Sequence, residues 1–123
     1  MSRVETILTR DSVATSLDTY GDQILSAHED GQIRMWDRRE PTRPTNTFKA
    51  HSKWASSVKF REPSNIFASG SYDHTVKIWD SRCGFPIQNL HSQEEKVLGI
   101  QWLGSSAIVS GGSDASLHLY AAN

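Results

Sequence analysis

A serine nucleophile needs a histidine base, a carboxylate behind that base and donors for the oxyanion. The chain offers the residue types: His51, Ser69 and Asp73 fall in one stretch, and His91, Ser110 and Asp114 follow about 40 residues later. Recurrence in step with the surrounding sequence argues for packing rather than catalysis. A metal site fares no better, because His28, His51, His74, His91 and His118 include no i, i+4 helical pair and Cys83 alone supplies no Cys-x-x-Cys. Gly111-Gly112 is followed by neither a lysine nor a helix, so it is not a phosphate loop. The expectation is a protein without enzyme activity, metal or cofactor.

The elements that must position these residues are strands. In "FASGSYDHTVKIWDSR", Phe67 to Arg82, the side chains of Val76 and Ile78 alternate with Thr75, Lys77 and Trp79, which reads as a half-buried strand. Ile66-Phe67-Ala68-Ser69-Gly70 reads as a second strand, and Ser71-Tyr72-Asp73-His74 has the chemistry of the turn between them. Further strands are expected at Val13 to Leu17, Ser57 to Phe60 and Val97 to Trp102, with fourth strands at Thr45 to Lys49 and Pro86 to Leu90. Bulk properties fit a globular unit: 123 residues, 37% hydrophobic, net charge −1. That balance gives no argument for nucleic acid, and no apolar run approaches the roughly 18 residues that span a bilayer. One cysteine and no basic-then-apolar start point to a reducing compartment, nucleus or cytosol.

The chain repeats. "ILSAHEDGQIRMWDRR" and "AIVSGGSDASLHLYAA" lie in register with the stretch above, so that Asp30, Asp73 and Asp114 coincide, as do Ser26, Ser69 and Ser110, and Trp36, Trp79 and Tyr120. A period of about 40 to 45 with a Trp-Asp ending is the signature of WD-repeat propeller blades. The whole chain resembles that family, which implies an all-β fold of about three four-stranded antiparallel blades, at about residues 10–49, 50–90 and 91–123, with residues 1–9 as a stray edge strand. The resemblance also implies a buried network of Asp, His, Ser and Trp in each blade. His51, Ser69, Asp73 and Trp79 match it fully. His91, Ser110 and Asp114 match with Tyr120 for the tryptophan, and Ser26, Asp30 and Trp36 match without an upstream histidine, which leaves that network open at one end. Propellers close with 4 to 8 blades, so three imply either part of a longer propeller or two copies sharing a six-bladed ring.

Function would then reside on the surface. Trp54 and Tyr72, ringed by Lys53, Glu94, Lys96 and Glu29, are candidates for a partner-binding face or for packing between blades. Arg38, Arg39, Arg43 and Arg82 gather on the opposite face, either as a contact for acidic protein or RNA phosphate or as a solvated loop. "SGSYDHTVKIWDSR", "HSQEEKVLGIQW" and "IVSGGSDASLHLY" resemble the nucleolar ribosome-biogenesis WD-repeat family that partners the pescadillo and block-of-proliferation proteins. That resemblance implies a scaffold in large (60S) subunit maturation and pre-rRNA processing, docking onto another propeller within the pre-ribosomal particle, in the nucleolus. The alternative is a substrate receptor of a cullin-type ubiquitin ligase, suggested by Trp-Asp-x-Arg at Trp36 to Arg39 and Trp79 to Arg82, or another WD-repeat adaptor, with the cytoplasm as the alternative location.

Overall fold

The computed structural model describes residues 5–9, 11–91 and 95–121, which form eleven strands. β1 (Ala14–Tyr20), β2 (Gln23–His28), β3 (Ile33–Asp37) and β4 (Asn46–Phe48) make one antiparallel sheet in chain order. β5 (Ala55–Phe60), β6 (Ile66–Ser71), β7 (Val76–Asp80) and β8 (Pro86–Leu90) make the second, and β9 (Val97–Leu103), β10 (Ala107–Gly112) and β11 (Leu117–Ala121) the third. Within the expected edge strand at residues 1–9, the described residues 5–9 are irregular and residues 1–4 lie outside the described residues; Thr6 and Leu8 lie near the loop at Pro41 and Thr42.

The hairpins share one turn. Each of Asp30, Asp73 and Asp114 accepts the N–H two residues on, of Gln32, Thr75 and Ser116, at 3.0 to 3.1 Å. The residue after each aspartate is left-handed, Gly31 at φ 85°, His74 at 76° and Ala115 at 63°, as a type I turn followed by a G1-type bulge requires. Only the first position has glycine, and there the loop between β4 and β5 demands it: a Cβ on Gly31 would stand 2.2 Å from the His51 carbonyl oxygen.

Strand β7 is buried on both sides, not half-buried. Val76 (1% exposed) and Ile78 (5%) pack with Val97, Ile100 and Ile108 of the third sheet, while Trp79 (1%) packs with Leu25, Ile33 and Phe48 of the first. Alternation in a middle blade therefore separates two neighbours rather than core from solvent. Two bulges stitch the sheets together. Thr15, bulged out of β1, places its hydroxyl on the Ala27 carbonyl of its own sheet at 3.1 Å and on the Ala55 carbonyl of the next. Ser56, bulged out of β5, does the same at Gly70 (3.2 Å) and Val97 (2.5 Å). Leu98 holds the corresponding bulge in β9, and with Leu117 and Leu119 it leaves the outer face of the third sheet apolar and exposed.

Close approach of the second and third sheets leaves no room at Gly70, where a Cβ would lie 2.7 Å from Val97 Cγ1. Gly70→Ala is expected to destabilise the chain by about 1–3 kcal/mol through overpacking. Urea unfolding followed by tryptophan fluorescence measures it, and an unchanged midpoint would contradict this packing.

Candidate functional site

The second sheet assembles the four residues of its network into one hydrogen-bonded chain. The Trp79 indole N–H donates to Ser69 Oγ at 2.9 Å, and Ser69 Oγ lies 2.8 Å from His51 Nε2. Because the Asp73 carboxylate can only accept, the ring carries its hydrogen on Nδ1, 3.0 Å from Asp73 Oδ2, and Nε2 is left to accept the Ser69 hydroxyl proton. Asp73 also accepts from the Thr75 hydroxyl at 2.5 Å and the Ser52 N–H at 3.2 Å. Burial pushes the Asp73 carboxyl up, but the bonds from His51 and Thr75 outweigh it and hold the group well below the usual 3.8.

These distances are those of a serine–histidine–aspartate triad, yet the arrangement cannot act as one. Ser69 is 0% exposed and its oxygen is already engaged by an indole, so no substrate carbonyl can approach it. The same atoms serve as an internal brace in which every polar group is satisfied.

The first sheet closes its network by another route. His28, which lies at the end of β2 rather than in the turn, is fully buried and sets Nε2 2.7 Å from Ser26 Oγ, which in turn accepts the Trp36 indole N–H at 2.9 Å. Its Nδ1–H points to the Ser12 carbonyl at 3.1 Å. The expectation of an open end is thus corrected: an in-strand histidine replaces the upstream one. Asp30, released from imidazole, forms a two-bonded ion pair with the buried Arg34 at 2.8 and 3.3 Å. In the third sheet the Asp114 carboxylate bonds Ser116 at 2.7 Å and approaches His118 at 3.4 Å, while His91 is exposed and makes no bond to Asp114 among the described residues. Ser110 is buried in β10. The third network thus differs from the other two in having Tyr120 in place of the tryptophan and His118 beside the aspartate.

On the surface, Trp54 and Tyr72 stack with centroids 5.6 Å apart at 13°, and the Lys96 ammonium sits 4.9 Å from the Tyr72 ring centroid. Trp54 remains 44% exposed, so the stack is both packing and an open aromatic face. Lys53 is exposed beside it, Glu29 lies on the turn after β2, and Glu94 falls outside the described residues. The opposite-face arginines are mostly neutralised: Arg38 binds Asp22, Arg39 binds Asp37 and Arg82 binds Asp80, each at 2.7 Å. Side-chain and backbone bonds from these arginines bring Asp37 and Asp80 down to about 2. Arg43 alone of the four has no carboxylate partner among the described residues, which weakens the case for a phosphate-binding patch. The signal was in the sequence, since each Trp-Asp-x-Arg carries its own acid two positions before the arginine.

The WD domain, G-beta repeat family matches residues 5–37 and 42–80. The chain belongs to the WD-repeat family. It is 40% identical to the ribosome biogenesis protein WDR12 homolog of Nematostella vectensis over 79% of its length, and 33% identical to that of Arabidopsis thaliana over 78%. It spans only 24% and 23% of those proteins, about a quarter of the curated relatives it matches. A chain in the crystal structure of the mitotic checkpoint complex superposes with TM-score 0.79 at 24% identity, over 86% of this chain and 35% of that one. The β-propeller fold is therefore common to both comparisons.

Burial holds the His28 imidazole below its usual 6.5, against the pull of the Ser12 carbonyl, and the nearby Arg34 adds to the depression. A depressed histidine contributes stability that is complete above 6.5 and is lost as pH falls through the folded-state value. His28→Gln is expected to cost about 1–3 kcal/mol at neutral pH and to shallow the loss of stability as pH falls below 6.5. Denaturation across that range checks both. Asp73→Ala is expected to cost about 1–3 kcal/mol at neutral pH by stripping His51, Thr75 and Ser52 of their acceptor, with the deficit shrinking as pH falls below 3.8. A melting temperature equal to the parent's would contradict the network.

Proposed function

We propose that this chain supplies blades of a non-catalytic WD-repeat scaffold in ribosome biogenesis, acting by protein docking during maturation of the large (60S) subunit and pre-rRNA processing. The observation that carries the docking reading is the Trp54–Tyr72–Lys96 stack, a rigid aromatic face held on the same side as the three aspartate turns. Large aromatics fixed on a rigid frame lose little entropy when a partner covers them, which is why they dominate binding energy. The names of the curated relatives support ribosome biogenesis as the setting. In that setting the partners are another WD-repeat propeller and a pescadillo-type protein within the pre-ribosomal particle, and the place is the nucleolus.

The exposed outer face of the third sheet supports a larger ring. Leu117 (78% exposed) and Leu119 (67%) occupy the positions that Val76 and Ile78 fill in the second sheet, where a neighbouring blade covers them. A further blade against Leu98, Leu117 and Leu119 would remove that apolar area from water.

The tagged natural protein, isolated under native conditions, is expected to bring down large-subunit precursor proteins and pre-rRNA. Replacing both Trp54 and Tyr72 by alanine should lower that recovery at least about tenfold, as loss of a hot spot does, with the melting temperature held. A cullin adaptor in place of pre-ribosomal proteins would favour the ubiquitin-ligase reading, and undiminished recovery by the double variant would remove the stack as the contact.

A further inference from the structure

The two contacts between neighbouring sheets use the same positions and fill them differently. Between the first and second sheets, Phe67 and Trp79 are closed over by Phe48, with ring centroids 5.1 and 5.6 Å away. The strand registers put Ile108, Tyr120 and Leu90 at the corresponding places between the second and third sheets. Three ring systems become one phenol and two aliphatic chains, and the lost volume is not refilled. A cavity of about 260 Å³ opens there, with Ile78, Leu90 and Ile108 on its apolar wall and Gln88, Arg61 and Trp102 at its mouth.

The rim differs in kind as well as size. Tyr20, the register equivalent of Arg61, meets the Phe60 ring at 6.0 Å in the first contact, whereas the Arg61 guanidinium lies 5.7 Å from the Trp102 ring centroid in the second. Arg61 donates to the Ser105 carbonyl at 3.3 Å and has no carboxylate partner among the described residues, unlike Arg34, Arg38, Arg39 and Arg82. A slot of this volume falls below the roughly 300–1,000 Å³ of small-molecule sites, so it suits one large side chain better than a metabolite. Its wall takes an apolar group, and its rim leaves a cation ready for an anion.

We infer that this inter-sheet slot docks a protein segment that inserts one phenylalanine- or leucine-sized side chain and sets a neighbouring carboxylate on Arg61. The reading is independent of the Trp54 face.

The test is calorimetric titration of the chain with the peptide acetyl-Glu-Glu-Phe-Glu-Glu-amide, its Phe-to-Ala form and its all-lysine form. Saturable binding of the first is expected, weakened at least about tenfold in the other two, as removal of an anchoring contact does. Ile108→Phe, which rebuilds the Phe67 arrangement, should hold or raise the melting temperature and abolish binding; Leu90→Phe, which rebuilds Phe48, serves if the first variant does not fold. Arg61→Gln should weaken binding and remove its salt dependence. Absence of saturable binding at millimolar peptide, affinity indifferent to the phenylalanine, or unchanged affinity in a folded cavity-filled variant would each overturn the inference.

Discussion

A buried tryptophan N–H must be satisfied, and the blades of this protein are built around how that is done. The indole donates to a serine, the serine to an imidazole, and the imidazole to an oxygen on a neighbouring loop: Asp73 Oδ2 in the second sheet and the Ser12 carbonyl in the first. The relay joins the third strand of a blade to its second and then to a loop. Each link orients the next because the hydroxyl has a single proton to give and the neutral imidazole carries its proton on one ring nitrogen and its free lone pair on the other. Where the relay loses its tryptophan, at Tyr120, the third sheet is also the one with exposed strands.

The relay fixes each sheet, and a second set of contacts fixes one sheet against another. Hydroxyls at Thr15 and Ser56 bridge to the next inner strand, and apolar clusters fill the space farther out. The first contact is dominated by aromatic rings and the second by aliphatic chains. Equivalent backbone with smaller side chains leaves a hole, because interiors are packed as solids and neighbouring sheets held by strand pairing cannot fully collapse. The break of the hydroxyl pattern at Leu98 changes the third sheet's outer face from a polar bridge to an apolar one.

Much of this architecture was legible in the residues. The coincidence of Asp30, Asp73 and Asp114 gave the turns, and the Ser26, Ser69 and Ser110 positions gave the second strands, because short-range turn chemistry and strand alternation are local. His28 was not legible as a network member. Its partner Ser12 lies sixteen residues away, and only the fold brings that carbonyl to Nδ1. A sharper signal existed: a blade lacking the upstream histidine carries one two residues after its network serine, on the same face of the strand. Burial of β7 on both sides escaped the alternation reading for a different reason. Alternation reports that two faces differ, and Lys77 made one of them look solvated, whereas its ammonium donates to the Ala50 carbonyl at 2.6 Å.

The central claim is that the tryptophan–serine–histidine relay is sealed in the native state and opens only when the chain unfolds. Hydrogen exchange of the individual indole N–H groups, followed by NMR, tests it most directly. The account predicts that Trp36 and Trp79 exchange only through global unfolding, at rates set by overall stability, while Trp54 exchanges as a solvent-exposed indole. Exchange of Trp36 and Trp79 at the rate of Trp54 would contradict it.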